Sequence, residues 1–497
     1  MSSTRSLAKD SVIYGGTTII VRLVSWLTTP LFTYTFAQKS DFGMLTNIYA
    51  YAALITIVLT FGMETGLFRF INQSDKYKPN TVYSTVILIV SAITLLFLIS
   101  FLCFFNQIRI LWPSQIPDNY IRLFFLITCM DGFIAVPFAY LRYKKKPLKF
   151  GFFKLLQVVL YVLFCTFFLV VCPWINKHNP GLIAWFWRDN FSVGYVLVAN
   201  LSATGIQTLC LLPYLTGFKY SFDRRLAKKL LNYCFPLVIM GLAGISNQVL
   251  DKLIFPVVFP DGDSAYDQLG AYGACFKIAV IMIMFTQAFR YAFDPFIFEK
   301  SKDKDAKQSY ALITKYFVMM GLLVFIGVIF YIDIIKYFVA PEYWEALPIV
   351  PVVLMGELFF AVYYNLSIWY KLTDKTYWGT IFSVIGFFII ISLNIIYIPI
   401  YGYMACAWAS FAGNLAMMLL SYFIGQRYYF VRYDLKTLFL YAGLALSLYA
   451  VAIFTPVENL GLRLAFRTGL IGIYLIVMFK RDLCKILWFT QKINRSL

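Results

Sequence analysis

A small set of polar side chains sits where the sequence offers little water. Arg22, Glu64, Asp131, Asn247, Asp251, Lys277, Arg290, Asp294 and Glu357 all fall inside or at the rims of long apolar runs. A charge at hydrocarbon depth costs ~2.5 to 3.5 kcal/mol on insertion scales, so such groups face a bundle interior or a water-filled path and mark function. Arginine binds phosphate oxygens in a bidentate way, and intramembrane carboxylates serve as ion relays. A lining of mixed sign that includes cations suits an amphiphile with an anionic head, such as a pyrophosphate. Arg22, Arg290, Lys277, Glu64, Asp131 and Glu357 are the candidates to line it. Asp251, Asn247 and Asp294 are the candidates for coupling protons or sodium ions.

Several have a plainer reading beside the functional one. Arg290 and Asp294 lie one helical turn apart and can neutralise each other, and Glu64 and Arg69 can form a snorkelling pair at the inner boundary. Asn247 and Asp251 share a helical face, and Asp251 can pair with Lys277 on the next helix. Arg22 is harder to explain away, because no acid stands within four residues of it.

Other chemistry has little material. No GxxxxGK[ST] phosphate loop, GxSxG or HExxH motif is present, so neither an ATP-hydrolysing engine nor a familiar nucleophile or metal centre is expected. The single histidine, His178, falls in a predicted loop. The nine cysteines lie singly within or beside apolar runs, without a CxxC pair, and read as small buried apolar residues. No cofactor is expected, and no metal.

The elements that must position these residues are transmembrane helices. The chain of 497 residues is 61% hydrophobic and 19% aromatic, with a mean hydropathy of +0.74. Lipid offers the backbone no hydrogen-bond partner, so spanning segments close into helices or barrels, and barrel strands would alternate in polarity. Here the runs are continuous and near the ~20 residues that cross ~30 Å of hydrocarbon. They predict helices at about 9–36, 44–70, 81–104, 119–141, 150–172, 192–217, 229–257, 270–296, 310–333, 345–369, 376–396, 400–425, 437–455 and 462–480. The fold class is therefore an all-α membrane protein of about fourteen helices.

The net charge of +19 does not point to nucleic acid, because the basic residues are not gathered on one polar face. Most lie in short clusters between apolar runs, such as Lys144, Lys145 and Lys146, or Arg224, Arg225, Lys228 and Lys229. Placing these clusters inside puts both termini in the cytoplasm. The exceptions are Lys39, Arg109, Lys177, Arg188, Lys336 and Arg463 in outer loops, and Arg22, Arg122, Lys252, Lys277, Arg290 and Arg467 in helices. The first helix reads as a span rather than a cleaved signal peptide. The chain divides into 1–220 (helices 1 to 6), 221–432 (helices 7 to 12) and 433–497 (two further helices and a tail). Sliding the first half by 227 residues lays Gly43 on Gly270, each near the start of the second helix of its half. Parallel-repeat transporters are built this way.

The stretches "SVIYGGTTIIVRLVSWLTTPLFTYTF", "SDFGMLTNIYAY", "TFGMETGLFRF", "DGFIAVPFAYLRYKKKP", "NQVLDKLIFP" and "LGAYGACFKIAVIMIMFTQAFRYAFDPFIFEK" resemble bacterial polysaccharide-biosynthesis flippases. These belong to the multidrug, oligosaccharidyl-lipid and polysaccharide exporter superfamily, and the resemblance covers essentially the whole chain. It implies two six-helix lobes in a V, two appended C-terminal helices, alternating access and a place in the bacterial inner membrane. It also implies a cargo of undecaprenyl-diphosphate-linked oligosaccharide for surface polysaccharide such as O-antigen or capsule. Membrane lipids are implied partners, with a glycan polymerase and a chain-length regulator as candidates. Arg22 stands where such flippases often keep a cavity arginine on helix 1, and Arg290 at the corresponding place on helix 8.

A lipid II flippase of the same superfamily shares every coarse feature. An ion-coupled multidrug antiporter would favour acids over arginines. A membrane-embedded glycan polymerase or acyltransferase is disfavoured, since the chain has neither a large outer loop nor a histidine at bilayer depth. The chain is not expected to be an enzyme.

Overall fold

A computed structural model describes residues 2–72, 77–110, 112–216, 220–300 and 306–483, without the side chains of 2–12, 216, 291–300 and 483. No strand occurs among the described residues. The long helices are α1 (Ser2–Thr35), α2 (Lys39–Thr60), α3 (Pro79–Cys103), α4 (Asp118–Tyr143), α5 (Pro147–Thr166), α6 (Ser192–Leu211) and α7 (Arg224–Val258). They continue as α8 (Gly262–Lys300), α9 (Ala306–Phe330), α10 (Ile349–Leu366), α11 (Tyr377–Tyr401), α12 (Tyr403–Tyr428), α13 (Leu435–Phe454) and α14 (Leu460–Met478). Among the described residues, thirteen helical segments are long and apolar enough to cross a membrane, α2 through α14. The first helix, at 34 residues, is as long but more polar, being rich in threonine and carrying Arg22. Its hydroxyls are absorbed locally: Thr17, Thr18, Thr33 and Thr35 each donate to the carbonyl four residues earlier, at 2.6 to 3.1 Å.

Local sequence sets the helix ends. Asp223 caps α7 by accepting from the amides of Arg225 and Leu226, and Asn459 caps α14 by accepting from Gly461 and Leu462. Pro79 and Pro147 open α3 and α5, where a missing N–H costs nothing. One break departs from the sequence expectation of a single helix over 44–70. Phe61 and Gly62 both take left-handed conformations, with φ of 49° and 62°, and a short helix, Met63–Ile71, follows. The Gly62 carbonyl then accepts from the amides of Thr65 and Gly66, restarting the helix that carries Glu64.

Packing divides the chain into two compact units. The first comprises Met1–Ala274 and Ser383–Ser410, and the second comprises Cys275–Phe382 and Phe411–Leu497. In the first, α1 packs on α5, α5 on α6, α6 on α4, and α2 on both α4 and α7. Met63, Leu67, Val82, Tyr83, Val136, Leu226 and Leu230 form a buried core where the short helix, α3, α4 and α7 meet. The start of α2 also meets the start of α8 backbone to backbone. A Cβ on Gly43 would strike the Tyr266 carbonyl, and one on Gly270 would strike the Lys39 carbonyl. Residues 39 and 43 map onto 266 and 270 at the 227-residue offset of the sequence echo, so the two glycines make a reciprocal contact.

In the second unit Tyr363, Trp369, Tyr370, Phe382 and Met417 form an aromatic core joining α10, α11 and α12. Helices α13 and α14 are fastened to α9 near both of its ends. Asp333, just past α9, accepts from Arg467 at 2.8 Å, with Arg463 at 3.4 Å. Lys315 on α9 reaches Asp482 at 2.5 Å and Asp434 at 3.2 Å, and the Tyr441 hydroxyl donates to Asp482 at 2.7 Å.

Candidate functional site

The polar residues of the spanning segments gather into separate clusters within each unit. In the first unit, Glu64 on the short helix forms an ion pair with Arg142 at the end of α4. Arg69 lies instead over the Tyr233 ring, at 4.1 Å from its centroid. Asp131, midway along α4, feels the ammonium of Lys154 on α5, which also acts on Glu64 and packs 4.2 Å from the Phe138 ring. Glu64, Asp131, Arg142 and Lys154 are thus one cluster, with two charges of each sign. Beside it the hydroxyls of Tyr49 and Tyr161 meet at 3.2 Å, and Asn200 donates to Tyr49 at 3.3 Å. Arg22 stands midway along α1 with its side chain exposed.

A second cluster of the same unit surrounds Asp251. Its carboxylate is 3% exposed and accepts from Lys252 Nζ at 3.0 Å and from the Tyr272 hydroxyl at 2.5 Å. Asn247, one turn earlier, donates to the Ser383 carbonyl at 3.0 Å. Asn47 on α2 donates to the Lys252 carbonyl at 2.6 Å, which ties the backbone of α7 to the start of α2. The Asp251 carboxylate is therefore solvated by protein groups, as a buried charge must be.

In the second unit, Arg290 lies against Tyr364 of α10. Its guanidinium carbon is 3.4 Å from the ring centroid, and its Nη2 donates to the Tyr364 hydroxyl. Lys371 approaches the same ring, with Nζ 4.4 Å from the centroid. Glu357 lies two turns before Tyr364 on α10, half-buried, and Lys277 is half-buried on α8. The side chain of Asp294 lies outside the described residues.

Arg142, Lys154, Lys252, Tyr272, Tyr364 and Lys371 complete these clusters and escaped the sequence reading as site residues. Lys154 and Lys371 belong, in the sequence, to the basic residues near helix ends that set topology. The signal for Tyr364 was present: it follows Glu357 by seven residues and shares its helix face.

Among the described residues outside the spanning segments, two carboxylates have shifted affinities. Partial burial pushes the Asp434 carboxyl up, but hydrogen bonds from Thr437 and Lys315 outweigh it and hold the group below the usual carboxylate range. The Asp261 carboxyl is held low chiefly by the Ser264 hydroxyl.

No protein-family model matches the sequence, and no curated protein is similar to it. Solved structures do match its fold. The lipid II flippase MurJ in an inward closed conformation aligns with a TM-score of 0.73 and 14% identity, over 95% of this chain and 100% of that one. An inward-facing multidrug resistance MATE family transporter of the MOP superfamily aligns with a TM-score of 0.59 and 11% identity, over 85% and 93%. An outward-facing one gives 0.58 and 13%, over 84% and 95%. The chain thus shares its fold with the lipid II flippase MurJ and with the MATE family transporters, and it is a membrane protein of many spans.

Proposed function

We propose that this protein is a flippase that moves an undecaprenyl-diphosphate-linked oligosaccharide from the cytoplasmic to the periplasmic leaflet of the bacterial inner membrane. It acts by alternating access of two six-helix halves, 1–220 and 221–432, with both termini in the cytoplasm. The observation that carries this reading is Arg290, a guanidinium kept inside a spanning helix and oriented by the ring and hydroxyl of Tyr364. Such a group is costly in lipid and matched in shape to a phosphate. Arg22, exposed at the middle of α1, supplies a second guanidinium. Asp251 and Asn247 are assigned to ion coupling, and the acids Glu64, Asp131 and Glu357, with Lys277, to the polar lining.

Replacing Arg22 with Ala is expected to abolish surface-glycan export in cells while membrane abundance stays normal. Unchanged glycan in that variant would remove Arg22 from cargo handling. The second reading is lipid II as cargo, which the full-length likeness to the lipid II flippase favours. Proteoliposomes supplied with either lipid separate the two readings, since only the true cargo should become accessible on the far leaflet at a protein-dependent rate.

A further inference from the structure

We infer that Arg463 and Arg467, drawn together on Asp333, form a binding site for the phosphate of an anionic phospholipid at the N-terminal end of α14. This site is independent of the proposed cargo and needs only that the chain spans a membrane.

Positive charge is left over here. Arg467 Nη1 donates to Asp333 Oδ2 at 2.8 Å, and Arg463 Nη1 stands 3.4 Å from the same oxygen. Two guanidinium groups therefore converge on one atom. Among the described residues, Asp333 is the one carboxylate in ion-pair contact with either, so the second cation goes uncompensated. The trio is also partly enclosed, with 15% of the Arg467 side chain, 16% of Asp333 and 31% of Arg463 exposed. An unbalanced charge away from bulk water attracts an anion more strongly than one on an open surface.

Hydrogen-bond donors are left over as well. Arg467 spends Nη1 on Asp333 and on the Phe330 carbonyl at 3.2 Å, which leaves its Nε and Nη2 without an acceptor among the described residues. Arg463 donates to the Glu458 carbonyl alone, at 3.4 Å. Phosphate oxygens match the planar fork of a guanidinium in pairs.

A plainer reading makes Arg467 and Asp333 a structural pair and Arg463 a snorkelling cation. A snorkelling side chain extends toward water, whereas Arg463 turns back onto the oxygen that Arg467 already holds. Arg463 also ends the first turn of α14, where the helix dipole disfavours a cation and favours an anion. The amides of Gly461 and Leu462 in that turn are taken by Asn459, so the side chains must hold the ligand. The orientation proposed above puts this end outside, where topology calls for no cations.

The surroundings favour a lipid over a free ion. Ile334 beside Asp333, and Leu460 and Leu462 beside Arg463, are exposed apolar side chains that frame the charged trio. Acyl chains can cover them while the headgroup meets the cations. A zwitterionic headgroup brings its own cation, so an anionic one suits the surplus charge better. Such a lipid would tighten a joint already made by the hydroxyls of Tyr331 and Thr468, which meet at 2.8 Å.

The test titrates the full-length protein in detergent with phosphatidylglycerol and with phosphatidylcholine, followed by native mass spectrometry and thermal unfolding. Wild type is expected to bind phosphatidylglycerol about tenfold more tightly, the worth of one charge-assisted contact. Arg463→Gln leaves the Asp333 and Arg467 pair intact and should abolish that preference without lowering the unfolding midpoint in the absence of lipid. Asp333→Asn removes the competing carboxylate and should strengthen phosphatidylglycerol binding, which a purely structural trio would not do. Lys177→Met, an equal loss of charge in a loop of the first unit, should bind both lipids as wild type does. Wild type without a preference, or Arg463→Gln with the preference intact, overturns the site. Weaker phosphatidylglycerol binding by folded Asp333→Asn, or an equal loss in Lys177→Met, also overturns it, the last because general charge would then be the cause. Inorganic phosphate that displaces phosphatidylglycerol at matched concentration overturns the lipid as ligand. None of these outcomes bears on the proposed cargo.

Discussion

At Asp251, a carboxylate survives inside a membrane protein because two neighbours replace its water. Lys252 supplies the charge and Tyr272 a short hydroxyl bond, and both lie on the protein side of a group only 3% exposed. Removing one member of a buried pair leaves the other uncompensated, at a cost of about 3 kcal/mol, whereas removing both is far less harmful. Lys252→Met should therefore lower the thermal unfolding midpoint clearly, and the double variant Asp251→Asn with Lys252→Met should recover most of that loss. Strictly additive losses in a double-mutant cycle would mean that the two do not act as a pair. The sequence identified Asp251 and its position toward one end of α7. It offered Lys277 on the next helix as the partner, whereas the structure brings the neighbouring Lys252 onto the carboxylate at 3.0 Å, a contact that helical spacing alone does not suggest. Lys154 and Lys371 were hidden for a related reason: a lysine near a helix end reads as a topology signal until its side chain is seen to fold back.

The helices themselves were far more legible, since each long apolar run answers one demand, the closing of backbone hydrogen bonds in lipid. What the runs did not reveal were the interruptions, at Phe61 and Gly62 and at Ser367, where a turn residue or a single helical break sets off a short segment that carries Glu64 or Lys371. Apolarity does not change across such breaks, so hydropathy passes over them. The fastening of α13 to α9 also lies outside hydropathy, and it is pH-sensitive. Asp434 caps α13 through the Thr437 amide at 3.2 Å and receives Lys315 at 3.2 Å. Its carboxyl lies below the usual range when folded, so its stabilising effect is complete above that range and is lost as pH falls through the folded value. Hydrogen exchange at the first turn of α13 should accelerate as pH is lowered, after correction for intrinsic exchange. Asp434→Asn should remove that dependence, and a variant with the same pH profile as wild type would assign the effect to another group. Asp482 supplies the second anchor through Lys315 and Tyr441, so the helix is expected to loosen at its end rather than detach.

For the molecule as a whole, the proposed function raises the question of what would drive the cargo outward. On that proposal, for a sequence in which no GxxxxGK[ST] loop is found, the free energy would come from an ion gradient, from the cargo's own gradient, or from its consumption outside. Charged clusters occur in both units, and they differ in kind. The Asp251 pair contains a carboxylate able to exchange an ion, while Arg290 lays a guanidinium against the ring of Tyr364. On the proposed function a division of labour follows from the chemistry, with the Asp251 carboxylate assigned to coupling and the guanidinium groups of Arg290 and Arg22 to the anionic head. It predicts that variants of the two sets fail differently. In proteoliposomes, Asp251→Asn should bind lipid-linked oligosaccharide as wild type does but lose the acceleration produced by an imposed proton or sodium gradient. Arg290→Met should keep the response to a gradient and require about tenfold more cargo to reach the same rate. If Asp251→Asn transports at the same gradient-driven rate as wild type, the coupling role of this pair falls, and the uncharged route, export pulled by removal of cargo at the outer leaflet, becomes the account that fits a chain with no ATP-hydrolysing motif.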